Sequence, residues 1–171
     1  MVVTDCITGE AVYYEKHELG EDYLTILRAS SSLPFISKPV KYKGRVLMDG
    51  GMSDSIPIQK SMAEGNKKNV IVLTQPKGYR KKPESLAKLA SLRYPHFKGL
   101  RASLENRHVN YNETMDFIDA LESKEEVFVI RPESALSAGR VERNKAVLYA
   151  DYDRGYADAQ TIYNRLLKYL S

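Results

Sequence analysis

The chain has 171 residues, 43% of them hydrophobic and 28% charged, with 26 basic side chains against 22 acidic ones. That is the make-up of a soluble globular domain with its own core, and it excludes disordered and fibrous classes. A net charge of +4 is too mild to point to nucleic acid, the single cysteine, Cys6, excludes an internal disulfide, and no apolar run approaches the roughly 20 residues of a membrane span.

Residues 2–7 (VVTDCI) are β-branched and apolar and predict a strand; Thr8-Gly9 makes a turn, and 11–14 resumes an extended pattern. Because the chain starts inside a strand pattern, residues are expected upstream, and the opening has no basic segment of the kind a signal peptide carries. Residues 22–29 suit a short helix with Tyr23, Ile26 and Leu27 on its buried face, stopped before Pro34. Strands at 40–42 and 46–48 flank Lys43-Gly44, a hairpin turn. Residues 56–63 read as a helix with Pro57 in its first turn and Gly65 at its stop. The run VIVL at 70–73 predicts a strand covered on both faces, and 77–83 a loop. Phe97, Leu100, Leu104, His108, Tyr111, Met115, Ile118 and Leu121 follow one face of a long helix; 127–130 is a further buried strand. Tyr156, Ala159, Ile162, Tyr163, Leu166 and Leu170 mark a second amphipathic helix. Apolar strands alternating with long helices predict an α/β protein with a mostly parallel sheet, in which functional groups gather at the carboxyl ends of strands.

Asp49 stands at such an end, followed by Gly50 and Gly51. A carboxylate held near a substrate proton and partly shielded from water is a usable base. The glycines would permit a positive φ or a close approach. An isolated Asp-Gly-Gly is also what a capped turn looks like.

Four segments in order, TDCITGE (4–10), LRASSSLPF (27–35), VLMDGGMSDSIP (46–57) and NVIVLTQP (69–76), resemble the patatin-like phospholipases, a family of serine lipid acyl hydrolases. TQPKGYRKKP, ENRHVNYNET and VIRPESAL are similar to the bacterial subgroup. The resemblance implies a three-layer α/β/α sandwich and a Ser–Asp dyad. The serine of a G-x-S-x-G elbow attacks the ester, the aspartate of D-G-G takes its proton, and a glycine-rich loop supplies the oxyanion hole. By position Asp49 would be the dyad aspartate, with Gly50 and Gly51 completing its motif. Ser30, Ser31 and Pro34 would line the site. The sequence has no G-x-S-x-G; the nearest segment, GMSDS at 51–55, lacks the second glycine. The expectation is therefore the C-terminal part of a single patatin-like domain, residues 1–171, that supplies the aspartate and is inactive alone. The alternative is a non-catalytic binding or regulatory module keeping the C-terminal half of the fold.

No cofactor is expected, because acyl transfer needs a base and backbone dipoles. His17, His96 and His108 match no metal spacing, and His108 reads as a hydrogen-bonded packing residue. Cys6 reads as a buried inert thiol, Asp5 as the holder of the turn at Thr8, and Ser30, Ser31 and Ser32 as a polar helix end. Lys38, Lys41, Lys43 and Arg45, with Lys77, Arg80, Lys81 and Lys82, form two basic clusters. They read as solvated surface, or as a peripheral contact with anionic membrane. The expected partners are an acyl lipid or phospholipid substrate, and a second copy or the missing N-terminal segment across an exposed sheet edge. The expected location is cytoplasmic, with the membrane contact peripheral.

Overall fold

The computed structural model describes residues 1–83, 89–139 and 141–171. In chain order it has β1 (Val2–Asp5), β2 (Ala11–Tyr13), α1 (Lys16–Leu19), α2 (Tyr23–Ser30), β3 (Val40–Tyr42), β4 (Arg45–Asp49), α3 (Ile58–Ala63), β5 (Asn69–Val72), α4 (Ala90–Arg93), α5 (Lys98–Ser123), β6 (Val127–Ile130) and α6 (Lys145–Leu170). The chain divides into two compact units, Met1–Pro57 with Arg80–Met115, and Ile58–Tyr79 with Asp116–Ser171.

The first unit is built on a four-stranded sheet of order β2-β1-β4-β3, antiparallel throughout. This corrects the expectation of a mostly parallel sheet, and the connections explain why for the β1–β2 and β3–β4 pairs. Parallel neighbours need a crossover of a dozen or more residues, whereas a hairpin needs two. A short turn joins β1 to β2, and only Lys43-Gly44 joins β3 to β4. Both turn residues have positive φ (44° and 78°), as a two-residue turn that matches strand twist demands. Leu47 and Met48 point to opposite faces of β4. Leu47 joins Val3, Ile26, Ala29 and Val40 in one buried cluster; Met48 joins Cys6, Met52, Tyr94, Leu100 and Leu104 in another. Within α2 the buried positions are Ile26 and Ala29, and Leu27 is exposed, so the helix is rotated from the face expected.

The second unit holds the one parallel pair among the described residues, β5 with β6, and these two strands are separated by a connection long enough for a crossover. β5 is not covered on both faces: Asn69 and Ile71 are buried, but Val70 and Val72 are exposed. A continuous apolar run does not by itself distinguish a sheet covered twice from one covered once. α3 starts at Ile58, one residue after Pro57, and ends at Ala63, with Gly65 at φ 87° just beyond it. α6 is longer than its apolar row predicted. It opens at an Asn144 cap, whose side chain accepts from the Ala146 N–H at 3.0 Å. Ala159, Ile162 and Leu166 are half-buried, but Tyr149, Tyr152, Tyr156, Tyr163 and Leu170 are exposed, so those four tyrosines are not core.

Candidate active site

Asp49 is the last residue of β4, half-buried, with extended backbone (φ −48°, ψ 129°) leading into a 3₁₀ turn over Gly50–Met52. Hydrogen bonds to Ser32, Thr4 and Gly51 are among those that hold it. Its N–H donates to the Ser32 carbonyl at 3.0 Å, its carbonyl accepts from Thr4 Oγ1 at 2.8 Å, and its carboxylate Oδ1 accepts from the Gly51 N–H at 2.7 Å. The carboxylate is thus aimed by the turn that follows it, over a backbone pinned to β1 on one side and to the segment after α2 on the other.

Neither Gly50 nor Gly51 has a positive φ, so conformational freedom is not why glycine stands there. The reason is space. At Gly50 a Cβ would collide with the carbonyl and side chain of Val2 on β1. At Gly51 a Cβ would lie 2.9 Å from Asp49 Oδ1, crowding the carboxylate off its N–H donor. From α5, Arg107 reaches the same turn and donates from Nε to the Gly51 carbonyl at 2.8 Å.

The serines nearby are occupied in structural bonds. Ser53 shares a 2.8 Å hydrogen bond with Thr4 Oγ1 and contacts the Gly50 carbonyl at 3.4 Å. Ser55 Oγ donates to the Gly51 carbonyl at 2.8 Å. Ser30 Oγ donates to the Val2 carbonyl, while Ser31 Oγ and Ser32 Oγ turn back to carbonyls of α2, at Leu27 and Arg28. Of the segment expected to line the site, Ser31 is exposed and Pro34 buried in the packing. Ser30 braces Val2 beneath Gly50, and the Ser32 carbonyl accepts from the Asp49 N–H. Phe35, next along, has φ 67°, uncommon for a side chain of that size. Its N–H is held at 2.6 Å by the buried Tyr94 hydroxyl.

Around the site, Asp5 does hold the turn at Thr8. Its Oδ1 accepts from the N–H groups of Ile7 and Thr8, and its Oδ2 pairs with Arg45 at 3.0 Å. Cys6 is fully buried, and burial, reinforced by the Asp5 carboxylate, pushes its thiol up to about 12. Tyr13 donates to Asp54 at 2.7 Å; burial, then that bond, raises its phenol well above its usual range. His17 and His96 are exposed. His108 departs from the expectation, since its buried Nδ1 has no hydrogen-bond partner among the described residues. No group of three His, Cys, Asp or Glu side chains among the described residues could hold a metal.

Thr4 and Arg107 are the members of this site that the sequence reading missed, and Ser32 was read only as part of a polar helix end. Thr4 and Ser32 lie inside the segments that carry the family resemblance, so their position was the available signal. Arg107 had none beyond membership of ENRHVNYNET.

Residues 10–61, which include the whole 30–35 segment and Asp49-Gly50-Gly51, match a family model described as patatin-like phospholipase. Residues 97–171 match a second, described as a domain of unknown function, DUF6363. Over 137 residues the chain is 26% identical to the uncharacterized protein YjjU of Escherichia coli (strain K12), an alignment that covers 79% of this chain and 38% of that protein. The Asp49 turn therefore lies in the stretch where this chain is similar to patatin-like phospholipases, and the alignment with the curated relative spans less than half of that protein's length.

Proposed function

We propose that this chain is the C-terminal part of a single patatin-like domain, of the bacterial subgroup, in a serine lipid acyl hydrolase, a phospholipase or esterase, and that it supplies the dyad aspartate. Asp49 accepts the proton of a serine nucleophile as that serine attacks the acyl carbonyl, and returns it to the leaving alcohol. The nucleophile elbow and oxyanion loop lie on a segment outside these residues, so the chain alone turns over no ester. One observation carries the reading. Within the stretch matched to the family, a half-buried strand-end carboxylate is oriented by a backbone N–H, and its immediate backbone is bonded on two further sides.

The substrate is an acyl lipid or phospholipid, met by a cytoplasmic protein at an anionic membrane surface. Exposed Lys41 on β3 and Lys38 just before it support this, although Lys43 pairs with Asp22 and Arg45 with Asp5. No helix among the described residues is long and apolar enough to cross a membrane. Association with the elbow-bearing segment, or with a second copy, would use the exposed valines of β5 and the tyrosine row of α6.

The test is hydrolysis of a short-chain nitrophenyl ester by the 171-residue chain and by the polypeptide that adds the residues encoded upstream of Met1. We expect no Asp49-dependent turnover from the first. The second should hydrolyse the ester through a G-x-S-x-G serine and lose that activity with Asp49→Asn. An upstream region with no such elbow in frame, or activity indifferent to Asp49, would instead support a non-catalytic module.

A further inference from the structure

We propose that Arg107 is the positioning residue of the Asp49 turn, holding its backbone and keeping its carboxylate in the ionised, proton-accepting form. The catalytic meaning of this rests on the reading of Asp49 as a dyad aspartate; the geometry does not.

The placement of Arg107 starts nearly a hundred residues earlier in the sequence. Gly9 (φ 81°) and Gly99 meet backbone to backbone, and a Cβ on either would collide with the other. Around that contact the first turn of α5 is bonded to the end of β1: Gly99 N–H to the Ile7 carbonyl at 3.2 Å, and Leu100 N–H to the Cys6 carbonyl at 3.0 Å. Ser103 Oγ adds a 2.7 Å bond to the Gly9 carbonyl. These bonds fix both the axial position and the rotation of α5. Two turns further on, about 10 Å along the axis, stands Arg107. β4 runs antiparallel to β1, so moving away from Cys6 along α5 is moving from Val46 towards Asp49.

At that point Nε of Arg107 donates to the Gly51 carbonyl at 2.8 Å. The absent Cβ of Gly51 would lie 2.9 Å from Asp49 Oδ1 and 3.7 Å from Arg107 Nη2, so carboxylate and guanidinium flank one empty position. Arg107, Asn110, Tyr111 and Thr114 border a void against Met52–Ser55 with room for no more than one water. An arginine is charged at every working pH and donates in a fixed plane, so it holds a turn and biases a neighbouring carboxylate with the same group. A nearby cation favours the ionised form. Of the other ionisable groups on the elements packed here, Asp5 pairs with Arg45, Asp54 accepts from Tyr13 and Arg28 of α2 is exposed, while Arg101 Nε and His108 Nδ1 are buried with no hydrogen-bond partner among the described residues.

The experiment is a pH series of amide NMR spectra on the 171-residue chain, with Arg107→Met and Arg107→Lys. The Gly51 amide donates to Asp49 Oδ1 and reports the protonation of that carboxylate. We expect its titration midpoint to move to higher pH in Arg107→Met and to stay at the wild-type value in Arg107→Lys. Hydrogen exchange at Gly51 should accelerate roughly five- to tenfold in Arg107→Met, with the Leu100 amide unchanged. Arg107→Gln, neutral and polar, replaces the methionine variant should that one fail to fold, with the same upward shift expected. An unmoved midpoint in a folded neutral variant overturns the role of Arg107 and leaves the reading of Asp49 standing. Ester hydrolysis by the longer polypeptide that is indifferent to Asp49→Asn overturns the reading of Asp49 and leaves the titration standing.

Discussion

Gly50 lies against Val2 so closely that no side chain fits between them. The contact joins the residue after Asp49 to the strand beside it, and Ser30 closes it from behind by bonding the same Val2 carbonyl at 2.8 Å. Gly50→Ala must push β1 and the turn apart, which we expect to cost about 2–4 kcal/mol, read as a lowered urea midpoint. Gly51→Ala meets only the carboxylate oxygen. It should cost less stability and act instead on the Gly51 N–H bond to Asp49.

Asp49→Asn keeps an oxygen for the Gly51 N–H and should change folding stability by less than about 1 kcal/mol. In the longer polypeptide, the base role proposed for Asp49 predicts that the same change lowers ester-hydrolysis kcat by roughly 10²–10⁴. Equal losses of stability and activity would mean that Asp49 serves the turn and nothing else.

Cys6 gives the chain an alkaline limit. Its thiol titrates near 9 when unfolded and only at about 12 when folded, chiefly because burial disfavours the thiolate. Between those values the unfolded chain holds fewer protons than the folded one. Its contribution is therefore whole below pH 9 and is lost as pH rises towards 12. Urea midpoints should fall through that window, and Cys6→Ala should flatten the fall. The raised phenol of Tyr13 adds to the loss at the upper end. A disulfide-exchange reagent should find the thiol unreactive until the chain unfolds.

Tyr94→Phe removes the hydroxyl that holds the Phe35 N–H at 2.6 Å and leaves that donor unpaired beside the second core cluster. A loss of about 1–3 kcal/mol is expected, with the two rings, 5.4 Å apart, still in contact. Calorimetry of the variant checks the size. A change within error would show that water replaces the hydroxyl without cost.

On the membrane side, co-sedimentation with anionic vesicles should exceed that with neutral ones. Lys38→Glu with Lys41→Glu should abolish the difference, since each cation near such a surface is worth about 1 kcal/mol. Equal binding to both vesicle types would remove the membrane from the proposal.

Features encoded within a few residues could be read from the sequence. Lys43-Gly44 announced its hairpin because the turn needs two positive φ values, and Asp49 stood out because an apolar run ended on it. Strand direction was not legible, since an apolar run has no arrow; only connection length carried that information, and it favoured hairpins. Val70 and Val72 looked buried because β-branched residues suit a strand whether or not anything covers it. The site was half legible for the same reason. Asp49, Gly50 and Gly51 are neighbours in sequence, whereas Thr4, Ser32 and Arg107 reach them only through tertiary contacts, which no local pattern records.

The contact between Gly9 and Gly99 also constrains how such a chain can vary. The two positions are ninety residues apart, yet they form one steric unit: each occupies the volume that a methyl group on the other would need. Among related chains they should therefore change together or not at all. A chain that had lost one of them would have to carry its long helix further from the sheet, and with it whatever side chain stands in place of Arg107.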